Sequence, residues 1–484
     1  MSVGSSRLRL WALRAAAVLL GVGLFAGAEL TLRGMGIPAP PASPALPEAS
    51  DGGTWLVTPS NRAGYLRHRT GDDGVAVVQT AQHQRQQKFM HSLSWTLEPA
   101  AGTLRIFCFG GSSTLGSPFE DRPALTFPAR LDHHLEQAGV DAEVINLGGA
   151  SFGSDHVVEL MRAVSGQGAA AYVVYSGNNE FFNYALGLAQ LNRGYLHTPR
   201  TVAQLHTFEL LEGWLRRSRS NGTDPLLVRF GEHEYAQRKL VQARVLEALT
   251  RGGDGARPVA SSDGVLRRRD QHYRAVMDRY AENAQSMVEL AASEPSRPLL
   301  LLFDLPANLG EQPWLPVSDP GQGLIARWRW DRLMGKASAS ADEHDHPATV
   351  QHARAASRVD PVNAQAYFIE GMAQANDGPL AEAWTSLQQA LELDMDPGRP
   401  LAEQGEILRR VAAGQPGVVV RDLESEFDWR RPGIVNSELF YDSCHLTAKG
   451  YDTVGRVAAQ VLVSALSEGS GMAGDAPVPE APAP

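Results

Sequence analysis

The feature of this 484-residue chain that most constrains its fold is an alternation of short apolar runs with amphipathic helical segments. Apolar runs bounded by turn residues predict buried strands, and apolar residues at helical spacing predict helices. Strand candidates are 104–109, 142–146, 171–175, 298–304 and 417–420, and helix candidates are 123–137, 154–164, 401–412 and 447–466. Together they predict an α/β fold in which helices cover both faces of a parallel sheet.

Two long stretches interrupt this alternation. Residues 181–269 are mostly polar, have glycine-rich breaks and indicate a helical insertion or a lid. Residues 324–396 instead carry four amphipathic helical segments.

The second of these stretches resembles a tetratricopeptide repeat. If Ala364 is position 1, then Tyr367, Gly371, Ala383, Leu387 and Ala390 occupy positions 4, 8, 20, 24 and 27. A weaker copy 34 residues earlier includes Ala356 and Pro361. An ordinary helical hairpin is the alternative. Because about three repeats are needed to stand alone, two should pack on the α/β body.

Composition excludes some classes of partner and site. The chain is 43% hydrophobic and 20% charged, which is ordinary for a globular protein, and its net charge is -10. Without a long basic run, it has no electrostatic footprint for nucleic acid. The two cysteines, Cys108 and Cys444, are too few for a disulfide framework or a four-ligand zinc site. We therefore expect no metal and no cofactor.

The N-terminus carries an export or anchoring signal. Basic residues Arg7, Arg9 and Arg14 precede the apolar run 15–28. The wider window 10–32 is long enough to span a bilayer, whereas the small residues 26–28 resemble a cleavage site, and a buried soluble helix is a third reading. The positive N-side predicts a single-pass protein of a bacterial cell membrane with its remaining chain outside the cytoplasm, or a secreted protein if the signal is cleaved.

The segment FCFGGSSTLG, residues 107–116, runs from the first strand into a glycine and serine turn. Open α/β sheets bind their ligands at the carboxyl ends of strands, which is where this turn places Ser112. The turn lacks both the Gly-Lys-Ser/Thr ending of a phosphate-binding loop and the spacing of the dinucleotide fingerprint. A chain-reversing turn and a nucleophile loop remain as readings.

Three other polar clusters could complete a nucleophile site. Asp442 and His445 lie just before the last helix, with a spacing that lets the carboxylate orient the imidazole. The segments 146–149 and 177–180 follow the second and third strands and offer backbone or side-chain amides. Taken singly, each also fits a structural turn or a polar loop.

In this order, the four clusters resemble the motifs of the SGNH hydrolase superfamily, the GDSL-type esterases and acylhydrolases. The resemblance implies a three-layer, flavodoxin-like sandwich in which Ser112 is the nucleophile, His445 the base and Asp442 its orienting acid. It also implies an oxyanion hole formed by the amides of Ser112 and Gly148 and the side chain of Asn179.

The chain departs from the family pattern at two positions. Gly111 replaces the usual aspartate before the nucleophile, and Glu180 replaces the aspartate after Asn179. Both lie outside the triad and should affect loop geometry and substrate choice. We expect Gly111, Asn178 and Glu180 to contact substrate.

The resemblance also sets the expected domain limits. These are an anchor at 1–35, a linker and N-terminal extension at 36–100, the first part of the hydrolase domain with its helical insertion at 101–320, repeat-like helices at 321–397, the last part of the hydrolase domain at 398–467 and a disordered tail at 468–484.

The expected activity is hydrolysis of acetyl or other short acyl esters through an acyl-enzyme. One alternative is an O-acyltransferase acting on an envelope polysaccharide, and another is a non-catalytic adaptor whose repeats bind a protein. The expected partners are an acyl-ester substrate, such as a glycan or lipid, the membrane through the N-terminal helix, and a protein on the repeat-like region.

Overall fold

The computed structural model describes residues 55–58, 61–70, 75–80, 90–183, 259–260, 265–319, 322–427 and 438–469. The predicted N-terminal anchor, the linker 36–53, most of the insertion 181–269 and nearly all of the C-terminal tail lie outside these residues. Within the described ranges, no helix combines the length and the apolar character needed to cross a membrane.

The described strands and helices follow the chain in a simple order. The strands are β1 Trp55–Thr58, β2 Asn61–Thr70, β3 Ala76–Thr80, β4 Ser94–Thr96, β5 Leu104–Gly110, β6 Ala142–Gly148, β7 Ala169–Tyr175, β8 Val259–Ala260, β9 Leu266–Arg267, β10 Leu299–Asp304 and β11 Val418–Asp422. The helices are α1 Ser112–Leu115, α2 Phe127–Gln137, α3 Ser154–Ala163, α4 Gln271–Ser293, α5 Leu324–Asp342, α6 His346–Val359, α7 Ala364–Asp377, α8 Leu380–Leu393, α9 Ala402–Ala412 and α10 Ala448–Gly469.

The body is built on a five-stranded sheet in the order β11-β10-β7-β5-β6. All four pairings in this sheet are parallel, so the prediction of an α/β fold with a parallel sheet is confirmed. In chain order the strands run 2-1-3-4-5, which is the flavodoxin-type order. The order reverses between β5 and β7, and this switch point is where such sheets bind ligands.

Alternating side chains of the central strands feed two separate cores. Phe107 and Phe109 point to a core that includes residues of α3, α4 and α9. Ile106 and Cys108 point to the opposite core, which includes residues of α2 and α10. Helices therefore cover both faces, as the strand and helix alternation predicts.

The four predicted amphipathic helices are α5 to α8. Gly371 of α7 lies so close to Leu387 of α8 that an added Cβ would be 2.6 Å from the Leu387 Cγ. The helices join the body through α8, whose Ala383, Leu387 and Leu391 belong to the core that contains Phe107 and Phe109. The Gln389 side chain also bonds the amide and the carbonyl of Leu266 in β9 at 2.8 and 2.9 Å. Their identification as tetratricopeptide repeats stays a prediction.

The sequence did not predict the four-stranded antiparallel sheet formed by β1 to β4. The sheet lies within residues 36–100, for which the sequence predicts a linker and an N-terminal extension without assigning strands. The alternation that would reveal it is weak, because the strands are short or largely polar, and β2 reads NRAGYLRHRT.

A buried arginine at the start of β5 ties this sheet to the body. Arg105 donates to the Glu143 carboxylate at 2.8 Å, to the carbonyls of Leu97 and Gln167 at 2.8 and 2.9 Å, and to the Thr96 hydroxyl at 3.3 Å. The guanidinium is fully buried and is satisfied by groups from both sides of the junction.

Candidate active site

The turn after β5 brings Ser112 to the carboxyl edge of the sheet. Gly110 ends the strand against β7, where an added Cβ would lie 2.0 Å from the Tyr175 carbonyl oxygen. The close approach of the two strands therefore requires glycine. Helix α1 begins at Ser112, which is half-buried, while Ser113 beside it is buried.

A continuous hydrogen-bonded chain joins the three predicted triad residues. The Ser112 Oγ lies 2.7 Å from the His445 Nε2, and the His445 Nδ1 lies 2.7 Å from the Asp442 Oδ2. The other carboxylate oxygen, Oδ1, accepts the backbone amides of Cys444 and His445 at 3.0 and 2.8 Å. With Nδ1–H donating to the carboxylate, Nε2 is left as the acceptor for the serine hydroxyl.

The contact between Asp442 and His445 lowers the pKa of the carboxyl group and raises the pKa of the imidazole. Burial would raise the pKa of Asp442, but hydrogen bonds from His445 and the charge of its ring lower it below the ordinary value. Burial would lower the pKa of His445, but Cys444 and the Asp442 carboxylate together raise it above the ordinary 6.5. The pair therefore favours an ionised carboxylate that stabilises a protonated imidazole.

Two side chains from elsewhere hold the loop that carries Asp442 and His445. The Ser113 hydroxyl donates to the Cys444 carbonyl at 2.9 Å, and the Asn308 Nδ2 donates to the Asp442 carbonyl at 2.9 Å. The sequence assigned neither residue a role. The position of Asn308, a polar residue shortly after β10, could have indicated a site residue at the end of that strand. Nothing in the sequence pairs Ser113 with Cys444.

The Asn179 side chain faces the turn that carries Ser112. Its Nδ2 donates to the Phe152 carbonyl at 2.9 Å, which leaves its second hydrogen available to another acceptor. A Cβ added to Gly111 would lie 2.8 Å from both the Asn179 Nδ2 and the Phe152 oxygen. Glycine at position 111 therefore lets the amide approach the turn. The described residues show no acceptor for the Ser112 amide, the other expected donor nearby.

The structure places the other predicted donor, Gly148, differently from expectation. Its amide donates to the Asn146 Oδ1 at 2.9 Å. An added Cβ would lie 2.2 Å from the Leu115 nitrogen, so this glycine makes room for α1. The Gly148 amide would serve an oxyanion only if it exchanged the bond to Asn146.

Glu180, a predicted substrate contact, has its carboxylate engaged by a neighbouring residue. It is buried, and its carboxylate accepts the Ser154 amide at 2.9 Å and the Ser154 hydroxyl at 2.6 Å. Burial raises the pKa of Glu180 to about 7, although both bonds from Ser154 oppose this shift. The residue links the loop after β7 to the start of α3, and the neighbouring Asn178 is half-buried in that loop.

Asp442, Cys444 and His445 also contain the ligand atom types of a metal site, within 4.8 Å of one another. The 2.7 Å bond between the Asp442 Oδ2 and the His445 Nδ1 occupies the space in which an ion would lie. The Cys444 Sγ is 3.9 Å from the same nitrogen. The arrangement therefore fits a proton-transfer chain better than a metal centre.

Comparison of the chain with models of known protein families gives no match, and comparison with curated proteins gives none either.

Proposed function

We propose that this chain is a serine hydrolase of the SGNH type that cleaves short-chain acyl esters. The observation that carries the proposal is the chain of two 2.7 Å contacts from Ser112 through His445 to Asp442. These three side chains lie at the carboxyl edge of a parallel sheet, beside the point where the strand order reverses. A hydroxyl, a base and an orienting acid in this geometry form an activated nucleophile.

The proposed reaction has two acyl-transfer steps. The Ser112 Oγ attacks the ester carbonyl while its proton passes to the His445 Nε2, and Asp442 stabilises the resulting imidazolium. The alcohol leaves with that proton, and the acyl group remains on Ser112. Water then attacks the acyl-enzyme while His445 takes one of its protons, and the acid is released as His445 returns that proton to the Ser112 Oγ.

The oxyanion of each tetrahedral intermediate needs donors that are already in place. We assign this role to the Ser112 amide and to the Nδ2 hydrogen of Asn179 that Phe152 does not use. Gly111 supports the assignment because a side chain there would displace Asn179.

An O-acyltransferase is the second candidate, because the same acyl-enzyme would form if a sugar hydroxyl replaced water. We also propose that the N-terminal segment places the site outside the cytoplasm and that α5 to α8 offer a protein-binding surface, as the sequence predicts.

The test is intact-mass analysis after treatment with a fluorophosphonate probe. Wild type should gain one probe mass, localised by peptide mapping to Ser112, and Ser112→Ala should gain none. Ser425→Ala, which removes an exposed hydroxyl outside the site, is the matched control and should still be labelled. A folded wild type that stays unlabelled and does not hydrolyse p-nitrophenyl acetate would instead support the adaptor reading. Product analysis with an acetyl donor, with and without glycan acceptors, would separate hydrolysis from transfer.

A further inference from the structure

The first half of α5 exposes three large apolar side chains to solvent. Leu324, Ile325 and Trp328 keep 87%, 84% and 63% of their surface accessible. Scattered exposed apolar residues are ordinary on a soluble protein, but an adjacent group marks a surface that binds something.

These side chains lie opposite the packed face of the same helix. Trp330, Leu333 and Met334 of α5 pack with residues of α6 and α7. At about 100° per residue, Leu324, Ile325 and Trp328 centre on the other side of the helix. The exposed group is therefore a second apolar stripe and does not belong to the core between the helices.

Basic residues surround the exposed stripe. Arg327 and Arg329 flank Trp328 on its two sides, and Arg332 and Lys336 follow on the next turns. Asp331 is the one acid between Leu324 and Lys336. The Arg332 guanidinium lies 5.7 Å from the centre of the Trp328 ring. These basic residues are clustered although the net charge of the whole chain is -10.

We propose that this surface, the α5 face, binds the surface of an anionic lipid bilayer with the helix parallel to the membrane. The α5 face consists of Leu324, Ile325, Arg327, Trp328, Arg329 and Arg332. An apolar stripe flanked by arginines, with a tryptophan among the apolar residues, is the pattern of helices that lie in the membrane interface. The apolar side chains enter the boundary of the acyl chains, and the guanidinium groups meet lipid phosphates.

The charge of the face argues for lipid rather than for an apolar protein groove. The basic groups lie around the apolar stripe, where a phosphate layer would surround an inserted helix. The proposal does not depend on the catalytic activity, since no triad residue belongs to this face.

The test is peptide-resolved hydrogen exchange of the full-length chain with lipid vesicles. The peptide covering 324–336 should be protected by vesicles that contain phosphatidylglycerol and not by vesicles of phosphatidylcholine alone. High salt should reduce the protection. Because the readout is local, it is separate from insertion of the apolar run 15–28 in the same chain.

Two kinds of variant separate the apolar contribution to membrane binding from the electrostatic one. Leu324→Glu with Ile325→Glu should abolish the protection, whereas Leu380→Glu, at an exposed apolar residue of α8, should leave it unchanged. Replacing Arg327 or Arg329 by glutamine should in each case raise the phosphatidylglycerol concentration needed for half-maximal protection of 324–336 about fivefold. Near-identical circular dichroism would show that the variants are folded.

Two outcomes would overturn the proposal. They are equal added protection by neutral vesicles and no added protection by anionic vesicles. The first would show that the arginines make no contribution. An acidic protein that protects the peptide when anionic vesicles do not would identify a protein surface instead.

Discussion

The Ser113 hydroxyl donates a 2.9 Å hydrogen bond to the Cys444 carbonyl, across 331 residues of sequence. The bond ties the turn that carries Ser112 to the loop that carries Asp442 and His445. Ser113 therefore holds the proposed base, His445, in register with the proposed nucleophile, Ser112.

Replacement of Ser113 by alanine should lower kcat more than it changes KM. The variant leaves the Cys444 carbonyl without this partner, which should cost about 1–3 kcal/mol of stability. It should also loosen the approach of His445 to Ser112, for which we expect a fall in kcat of about tenfold to a hundredfold. Kinetics on p-nitrophenyl acetate and thermal unfolding would measure both effects.

Ser425→Ala is the matched control for that variant. Ser425 also donates to a backbone carbonyl, that of Asp422 at 2.9 Å, but its bond is exposed to solvent. It should change neither kcat nor the melting temperature appreciably. Equal kinetics for the two variants would show that the Ser113 bond has no positioning role.

Gly111→Ala should impair turnover because the new Cβ would meet the Asn179 Nδ2 and the Phe152 oxygen at 2.8 Å. Overpacking of this kind costs about 1–3 kcal/mol. The displaced amide would lose its approach to the oxyanion, so kcat should fall by about 10²-fold. Gly335→Ala meets no atom within 4 Å and is the control, which should be neutral or slightly stabilising. A fully active Gly111→Ala variant would contradict the role assigned to Asn179.

As the pH is lowered, kcat/KM should begin to fall at a pH above 6.5, the ordinary pKa of histidine. His445 acts as a base only when neutral, and its raised pKa moves that loss of activity upward from 6.5. Asp442→Asn removes a charge that favours the protonated ring, so the acidic limb should move to lower pH. The same change should lower kcat by about 10³–10⁴-fold. These shifts are read from kcat/KM against pH, and an unmoved limb in Asp442→Asn would mean that another group titrates.

Glu180 should make stability decrease as pH rises from about 4.5 to about 7. Its pKa is raised from 4.5 in the unfolded chain to about 7 by burial, so the folded state binds the proton more tightly. The stability from this group is fully present below the unfolded pKa and is lost as pH rises through the folded pKa. Relative to wild type, Glu180→Gln should therefore gain stability across this interval and stay level above it. If the difference in free energy of unfolding between wild type and Glu180→Gln is the same at every pH, then Glu180 does not titrate in this way.

The sequence predicted the central sheet well because its strands are nearly continuous apolar runs bounded by glycine and polar turns. The predicted strand 142–146 is observed as Ala142–Gly148, and 171–175 as Ala169–Tyr175. Such runs are typical of strands buried on both faces, and local composition is sufficient to find them.

The sequence could not show contacts that depend on how distant segments meet. It indicated the type of each site residue, but it could not show that Asn146 engages the Gly148 amide. It likewise could not show that the Glu180 carboxylate turns toward Ser154. Both outcomes follow from which polar partner lies within reach in the folded chain, and no local pattern records that.

The burial of Arg105 determines where this protein can be shortened. A chain trimmed to begin at residue 101 would keep every residue of the proposed site. It would lose the Leu97 carbonyl and the Thr96 hydroxyl that accept from the guanidinium, and also the Trp95 ring, which meets Phe107 edge-on at 6.0 Å. The Glu143 carboxylate and the Gln167 carbonyl would remain as partners, so each lost hydrogen bond should cost about 1–3 kcal/mol, a large share of the stability of an ordinary domain. A shortened chain that keeps the proposed site intact therefore needs residues 95–97, at the last strand of the antiparallel sheet.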